Sequence, residues 1–400
     1  MRVTILNQFY APDISPTAQL AASLAEHRAE HGDDVTVIAG RAGYLEGLGG
    51  LSTSAAGRVR VRRAWTPDLG RASIARRLLG YVAYLVGAAV RVVALPAQDV
   101  VVAMTTPPFV VVLAVLHKAL HRRTRVVLWS MDCYPDAAER FGELRPGGLV
   151  SRLLRRLNRW VFRRLDHVVV LDGAMRDLLT SQYAAGPGRP PTSIIPNWER
   201  AAGFPADAEG LAWTGWEQLP VAGRTIVVYL GNIGVGHQFA TVVEAASQLA
   251  DEALFLFVGG GARRDELAGA VADRDLTNVV LHDYVPKPDT LAVMAGADAA
   301  LITLDERSLG VMSPSKLHAN LAAGLPVLYV GPAGSNVDEA IARYGCGTSL
   351  REGDVEGLVR AVRALREPAT RGVRTRARAA FDEAYVDRAA LPRFDAVLDG

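Results

Sequence analysis

Cysteine is nearly absent: the 400 residues hold two, Cys133 and Cys346, far apart in the chain. Neither belongs to a CxxC pair or a His cluster. No disulfide framework and no structural zinc site is expected, and a reducing cytosol suits the chain. Net charge is nearly absent too, since 44 Lys and Arg stand against 42 Asp and Glu, leaving +2. Such a balance gives no general reason to bind nucleic acid, although charge can be gathered locally. Long apolar runs are also missing. The most lipid-like stretch, Leu78 to Leu95, is interrupted by Arg91, and its uncharged part from Leu78 to Val90 is too short to span a bilayer. A buried or interfacial helix is expected there. Met1 to Leu6 runs straight into a strand pattern, so no signal peptide is expected. No G-x-G-x-x-G follows the first strand, which argues against a dinucleotide seated on the first helix. The absence of G-x-x-x-x-G-K-[ST] and of G-x-S-x-G removes Walker ATPases and hydrolase nucleophile elbows.

What is present is α/β patterning. Half of the residues are hydrophobic and 38 are Gly, enough apolar material for two cores, and the length favours more than one domain. Continuous apolar runs at Val3–Leu6, Val35–Ile38, Val100–Met104, Val126–Trp129 and Val168–Leu171 are separated by helical stretches at 17–31, 74–94, 109–121 and 149–165. Continuous rather than alternating apolar strands imply a parallel sheet covered on both faces. The pattern breaks at the Gly/Pro-rich 184–191, and residues 201–223 read as an interdomain linker. A second βα series starts at Thr225, with strands at 226–230, 254–258, 279–281, 299–303 and 327–330. The expected organisation is a Rossmann-like domain over 1–200, a linker over 201–223 and a second Rossmann-like domain over 224–378. In doubly wound sheets, ligands bind at the carboxyl ends of the strands.

The candidate site residues cluster at such ends. Gly231-Asn232-Ile233-Gly234-Val235-Gly236 follows one strand and Gly259-Gly260-Gly261-Ala262-Arg263-Arg264 the next. Such glycines let backbone approach a phosphate, or simply make a tight turn. Arg263 or Arg264 can fork onto a diphosphate, or sit in solvent. Ser313-Pro314-Ser315-Lys316-Leu317 opens a helix, where free amides, macrodipole and a lysine all favour an anion. Ser313 also reads as a plain cap. In the first half, Ser15 with Pro16 reads as an N-cap followed by Pro at the first helical position, and the loop carrying Asp13, Ser15, Pro16 and Thr17 lies at the carboxyl edge of the first strand. Asp132, after Val126–Trp129, can touch a sugar or acceptor hydroxyl, or cap a turn. Asp273-Arg274-Asp275 is a DxD at a polar helix end and reads as solvent-facing. His117 and His121 lack an acidic partner and read as helix surface rather than zinc ligands. No metal site is expected.

Residues 145–164 hold seven arginines and no acid. Arg152, Arg155, Arg156, Arg159 and Arg163 fall on one helical face, beside an apolar stripe of Val150, Leu153, Leu154, Leu157 and Val161 flanked by Trp160. A cationic helix of this kind lies on anionic lipid, or is a domain helix with an Arg-rich solvent face. No RNA-binding signature accompanies the arginines.

Five segments carry a resemblance: Asn7 to Gln19, Asp132-Cys133-Tyr134-Pro135-Asp136, Ile195-Pro196-Asn197-Trp198, Tyr229 to Gly234, and Ser313 to Lys316. Together they resemble the bacterial family 4 glycosyltransferases, in particular their WbuB-like branch, which serves O-antigen, capsule and colanic-acid assembly. The resemblance runs over residues 1–398. It implies a GT-B fold: two Rossmann-like domains facing a cleft, with a last helix, here 379–400, crossing back to the first. It implies a retaining, metal-independent transferase with no cofactor besides a nucleotide-diphosphate sugar, UDP- or GDP-linked. The acceptor implied is a glycan or a polyprenyl-diphosphate-linked sugar, at a cytoplasmic location peripheral to the inner membrane face. Gly231, Asn232, Gly234, Gly259, Gly260, Gly261 and Arg263 match the donor-phosphate loops. Tyr284 and Val285 match the segment meeting the nucleobase, and Ser313 to Leu317 the diphosphate seat. Lys316 and Asp132 are the catalytic candidates.

The chain departs from the family in two places. Two glutamates common in relatives fall at Val311 and Ala319, leaving Asp305 or Glu306 as possible substitutes. Where an Arg or Lys often follows the first glycine turn, Val235, Gly236 and His237 stand. A sugar-nucleotide 2-epimerase of the same fold, a non-catalytic sugar-nucleotide-binding subunit and an RNA-binding protein remain as alternatives.

Overall fold

Seven short strands make the first sheet: β1 (Arg2–Leu6), β2 (Asp34–Ala39), β3 (Val59–Arg63), β4 (Val100–Ala103), β5 (Arg125–Trp129), β6 (His167–Val170) and β7 (Thr192–Ile194). The computed structural model describes residues 1–13, 15–41, 59–66, 74–184, 186, 188–204 and 211–400. All pairings in this sheet are parallel, in the order β3-β2-β1-β4-β5-β6-β7. Its helices are α1 (Pro16–Glu30), α2 (Ile74–Val93), α3 (Val111–Leu120), α4 (Asp136–Arg140), α5 (Leu149–Phe162) and α6 (Gly173–Tyr183). The central strands are apolar along their length because both faces are covered, and β4 is buried throughout. The edge strand β3 reads Val-Arg-Val-Arg-Arg and is largely exposed, which blunts the open edge. Its arginines hide it from a search for apolar runs.

The chain moves one way along the sheet from β1 to β3, then reverses through β4 to β7. Right-handed crossovers therefore set α1 on one face and α2, α3, α5 and α6 on the other. The Ser15 hydroxyl accepts from the Ala18 amide and Pro16 occupies the first turn of α1. On α2, Tyr84, Ala88 and Val92 face inward, and the Tyr84 hydroxyl donates to the Ile38 carbonyl at 2.9 Å.

The second sheet contains β8 (Thr225–Leu230), β9 (Ala253–Val258), β10 (Val279–His282), β11 (Ala299–Thr303), β12 (Val327–Val330) and β13 (Gly347–Leu350), again all parallel, in the order β10-β9-β8-β11-β12-β13. Around it lie α7 (Ala240–Gln248), α8 (Arg264–Ala272), α9 (Lys287–Ala295), α10 (Lys316–Ala322), α11 (Asn336–Tyr344), α12 (Val355–Ala364) and α13 (Thr370–Ala380). Aromatic packing fills the core, with Tyr229, Phe239 and Phe257 in mutual contact.

Contacts divide the chain into residues 1–196 with 391–400, and 197–390. The segment 201–223 is therefore part of the second unit rather than a free linker. Trp213 and Trp216 meet edge-on at 5.3 Å, and Trp213 is buried against Val228, Leu256 and Val293. Residues 205–210 of that segment, and Ala185 and Pro187 of the Gly/Pro-rich stretch, lie outside the described residues. The tail also stays with the second unit longer than expected, because Ala380, Phe381, Tyr385 and Val386 pack with Ile302, Leu317 and Tyr329. Only from Leu391 does the last helix, α14 (Asp387–Asp399), join the first unit. There the buried Arg28 of α1 pairs with Asp33, Asp395 and Asp399, and Phe394 packs on Trp129 at 4.5 Å.

Two further expectations are corrected. His117 is not on a helix surface but fully buried, with Nδ1 3.1 Å from the Val92 carbonyl. Arg155 leaves the solvent face of α5 and turns inward to pair with Asp136 and Glu139. Val161, at the far end of the apolar stripe of α5, is core. Among the described residues, no helix is long and apolar enough to cross a membrane.

Candidate functional site

In each sheet the strand order reverses at one point: between β1 and β4 in the first, between β8 and β11 in the second. A crevice opens at the carboxyl ends of the strands there. The loops after β1 and β8 and the start of α10 after β11 lie at these points, whereas Asp132 follows β5, Gly259 to Gly261 follow β9 and Tyr284 follows β10, farther along each sheet.

In the second unit the centre is Lys316, first residue of α10. Its Nζ donates to the Asn232 carbonyl at 3.1 Å, lies 3.2 Å from His237 Nε2 and sits 4.6 Å from the centroid of the Tyr229 ring. His237 Nδ1 is 2.7 Å from the Thr303 carbonyl at the end of β11. A carbonyl only accepts, so Nδ1 carries the proton and Nε2 is left as an acceptor for the lysine. Burial first, and then the nearby ammonium, push the His237 pKa down to about 3, so the ring is neutral. Burial pushes Lys316 down to about 7. Among the described residues no carboxylate pairs with this lysine; its partners are a carbonyl, a neutral imidazole and an aromatic face. A half-buried cation left without a counter-charge among the described residues suits an anionic ligand.

The glycine loops interlock beside it. A side chain at Gly259 would meet the Gly231 carbonyl at 2.2 Å, and one at Gly261 would meet the Ile233 carbonyl and Asn232 Oδ1 at 2.4 Å each. Both residues have φ in the left-handed region, +143° and +147°. Their first role is thus to let two loops touch backbone to backbone. The Ile233 amide donates to the Gly260 carbonyl and the Arg263 amide to the Ile233 carbonyl. Gly231 leaves a slot for the lysine stem, its missing side chain lying 3.5 Å from Lys316 Cε. The exposed Tyr284 places its hydroxyl 3.3 Å from the Gly260 carbonyl, and Val285 packs on the core below.

The remaining donor-side candidates divide by role. Ser315 stands at the N-cap of α10 but its hydroxyl makes no capping bond, which leaves first-turn amides to other partners. Ser313 is not that cap. Leu317 is fully buried among Ile302, Leu321 and Tyr329 and can offer only its backbone. The Pro314 carbonyl accepts from Asn336. Arg263 is within the loop cluster, yet its guanidinium grips Glu266 and the His237 carbonyl, and Arg264 pairs with Asp283. Val311, where relatives place a glutamate, is fully buried. Burial raises the Asp305 pKa, but hydrogen bonds from Arg307 and Gln238 outweigh it and hold that carboxyl below the usual range. Asp305 is therefore committed, whereas Glu306 is exposed. Sequence reasoning saw His237 only as a departure; the signal it missed is that a histidine two turns of loop past β8 faces the lysine that opens α10.

In the first unit, the loop after β1 carries buried Asp13 and Ser15, with exposed Pro16 and half-buried Thr17 at the start of α1. Ser15 is engaged in capping. Asn7, fully buried at the end of β1, donates to the Phe9 carbonyl and leaves Oδ1 without a partner. Arg63, unremarked in the sequence, braces this loop by donating to the Ala11 and Gly40 carbonyls. Asp132 follows β5; its amide and that of Met131 both donate to Thr105 Oγ1 at 3.1 Å. It lines a cavity of about 30 Å³ with Thr105, Phe109, Cys133 and Asn158, room for a water rather than a sugar. Burial lifts its pKa to about 6.

Comparison with known proteins identifies the family and the fold. The Glycosyl transferase 4-like domain family matches residues 17–198 and the Glycosyl transferases group 1 family residues 224–367. The probable glycosyltransferase WbjE of Pseudomonas aeruginosa is 25% identical over 68% of this chain and 67% of its own length. The putative colanic acid biosynthesis glycosyl transferase WcaI of Escherichia coli is 27% identical over 60% of this chain, which spans 59% of that relative. Among solved structures, sucrose-phosphate synthase from Thermosynechococcus elongatus superposes with a TM-score of 0.73 at 15% identity, covering 100% of this chain and 98% of that one. Anabaena Alr3699/HepE in complex with UDP superposes at 0.71 and 15% identity, covering 100% of both. The fold is GT-B, and the chain belongs to the bacterial glycosyltransferases that join a glycosyl transferase 4-like first domain to a group 1 second domain.

Proposed function

We propose that the chain transfers a sugar from a nucleotide-diphosphate sugar, UDP- or GDP-linked, to a glycan or a polyprenyl-diphosphate-linked sugar in surface-polysaccharide assembly, with retention and without a metal. The observation that carries the donor half is Lys316: a half-buried lysine at the switch point of the second sheet, held by neutral groups and, among the described residues, paired with no carboxylate. The HepE complex with UDP has the same fold, and the relatives WbjE and WcaI support the polysaccharide setting.

In this reading Lys316 and the amides of Gly231 to Gly234 and Ser313 to Ser315 hold the diphosphate and stabilise the charge it gains as the anomeric C–O bond breaks. The acceptor oxygen bonds to the anomeric carbon on the same face, and its proton passes to the departing phosphate. Asp132 and the unpartnered Asn7 Oδ1 position sugar or acceptor hydroxyls. In this reading the protein works at the inner membrane face, which the proposed lipid-linked acceptor and the basic α5 support.

One observation favours a second reading, a sugar-nucleotide-binding subunit without turnover: the two glutamates the resemblance implies, one of which would hold the ribose, are replaced by Ala319 and by Val311, which is fully buried.

The test is the thermal shift of the protein with UDP, GDP, dTDP, ADP and CMP, in EDTA and then in magnesium. One diphosphate is expected to raise the melting temperature equally in both, and Lys316→Ala to abolish the rise. No rise with any of them overturns the donor site. A rise followed by no transfer from any matching nucleotide sugar selects the second reading.

A further inference from the structure

The exposed apolar side chains of the first unit are not scattered. On α2, Leu78, Leu79, Val82, Val86, Val90 and Val93 are all more than half exposed, reaching 66% at Val90. Their spacing puts them on one stripe, opposite the inward Tyr84, Ala88 and Val92. The neighbouring α3 adds Leu116 and Leu120, and α5 beyond it adds Leu149, 78% exposed, with Val150 and Leu153. Single exposed apolar residues need no explanation, but a continuous face on three adjacent helices does.

Charge says what covers it. The three helices contain no Asp or Glu. Arg152, Arg156, Arg159 and Arg163 are exposed along α5, beside its apolar residues, and none makes an ion pair among the described residues. Arg159 and Arg163 join Arg189 in lining a pocket of about 110 Å³ with no carboxylate in its wall. An apolar stripe flanked by unpaired guanidinium groups complements apolar chains topped by phosphates.

We propose that α2, α3 and α5 form a face that seats on an anionic bilayer, with the α2 stripe among the acyl chains and the α5 arginines on lipid phosphates. This deepens the membrane placement above and rests on that reading only for the acceptor's lipid. The transferase face would then be held where a polyprenyl-linked acceptor resides.

The experiment is co-sedimentation of the full chain with vesicles of neutral phosphatidylcholine alone, and with about a third of the lipid replaced by phosphatidylglycerol. Binding to the anionic vesicles is expected to exceed binding to the neutral ones by about tenfold or more, and to fall with salt. Val86→Glu with Val90→Glu is expected to weaken it about tenfold. Arg156→Glu with Arg159→Glu is expected to weaken it by at least about fivefold for each charge removed. The milder Val86→Ser with Val90→Ser guards against misfolding, and the UDP thermal shift, on the other unit, checks that each variant is folded. No binding by the wild type, or binding indifferent to the α2 variants, overturns the proposal. So does a dimer that Val86→Glu dissolves while vesicles are ignored, which assigns the face to a second copy. Vesicle binding without any nucleotide shift sinks the donor site and leaves this face standing.

Discussion

If the diphosphate sits on Lys316 as proposed, nucleotide-sugar binding is a proton-uptake reaction. Burial sets its pKa at about 7 in the free protein, so at about pH 8 roughly nine in ten molecules carry a neutral amine. A diphosphate against Nζ favours the ammonium and lifts the pKa again. Binding at that pH must therefore take up close to one proton. The sign follows: below about pH 7 the lysine is already charged and affinity is level. Above it each pH unit costs about 1.4 kcal/mol, or tenfold in Kd, until the pKa of the complex is reached. His237 does not blur the effect, since its pKa lies near 3. The ligand should be a nucleotide sugar, whose diphosphate diester has no group titrating near neutrality. Isothermal titration calorimetry at about pH 8, in buffers of different ionisation enthalpy, counts the protons. Lys316→Met is expected to remove both the uptake and the pH slope. It should also weaken binding about tenfold to a hundredfold, the loss of one or two charge-assisted hydrogen bonds. A wild type with flat affinity between about pH 6 and pH 9 and no proton uptake refutes the placement of the diphosphate on this lysine.

Two smaller predictions concern the frame and the ribose. Arg28→Met strands Asp33, Asp395 and Asp399 and is expected to cost about 3 kcal/mol at neutral pH. The Asp395 carboxyl, raised by burial but held lower still by His27 and Arg28, contributes stability that is lost as pH falls below about 4. Urea unfolding against pH should show that acid limb in the wild type and flatten it in the variant. With Val311 buried and Asp305 engaged by Arg307 and Gln238, none of these positions among the described residues offers a free buried carboxylate to the 2′-hydroxyl of a nucleotide bound as proposed. UDP and 2′-deoxy-UDP should bind within about threefold of each other, whereas loss of a hydrogen bond to a charged group would cost about tenfold or more; a gap of that size in competition binding would bring Glu306 onto the ribose.

Much of the frame was legible because buried parallel strands must be apolar along their whole length. What escaped notice was polar or short: β3 with its alternating arginines, the three-residue β7, and β13 as Gly-Thr-Ser-Leu. The linker was misread because irregular backbone need not be unpacked; Trp213 and Trp216 anchor 211–219 to the second core. Helical periodicity assigned Arg155 to solvent because it cannot see Asp136 and Glu139 arriving from the preceding helix α4. His117 and His237 were missed in the same way, since what decides each is a carbonyl far along the chain, Val92 in one case and Thr303 in the other.

The two departures from the family pattern make sense together. Relatives often set a further cation after the first glycine turn and glutamates near the diphosphate seat; this chain has neither, with His237 in place of the cation and Val311 and Ala319 in place of the acids. Of the loop arginines that might replace the cation, Arg263 is neutralised by Glu266, Arg264 by Asp283 and Arg307 by Asp305. Charges of both signs have been withdrawn, and Lys316 remains as the cation of these loops with no carboxylate on it. His237 keeps it in place without competing for its charge, because a neutral imidazole accepts a hydrogen bond but adds no counter-ion. In the proposed donor site, the positive charge facing the diphosphate would then come mainly from this one half-buried ammonium rather than from several ion-paired groups.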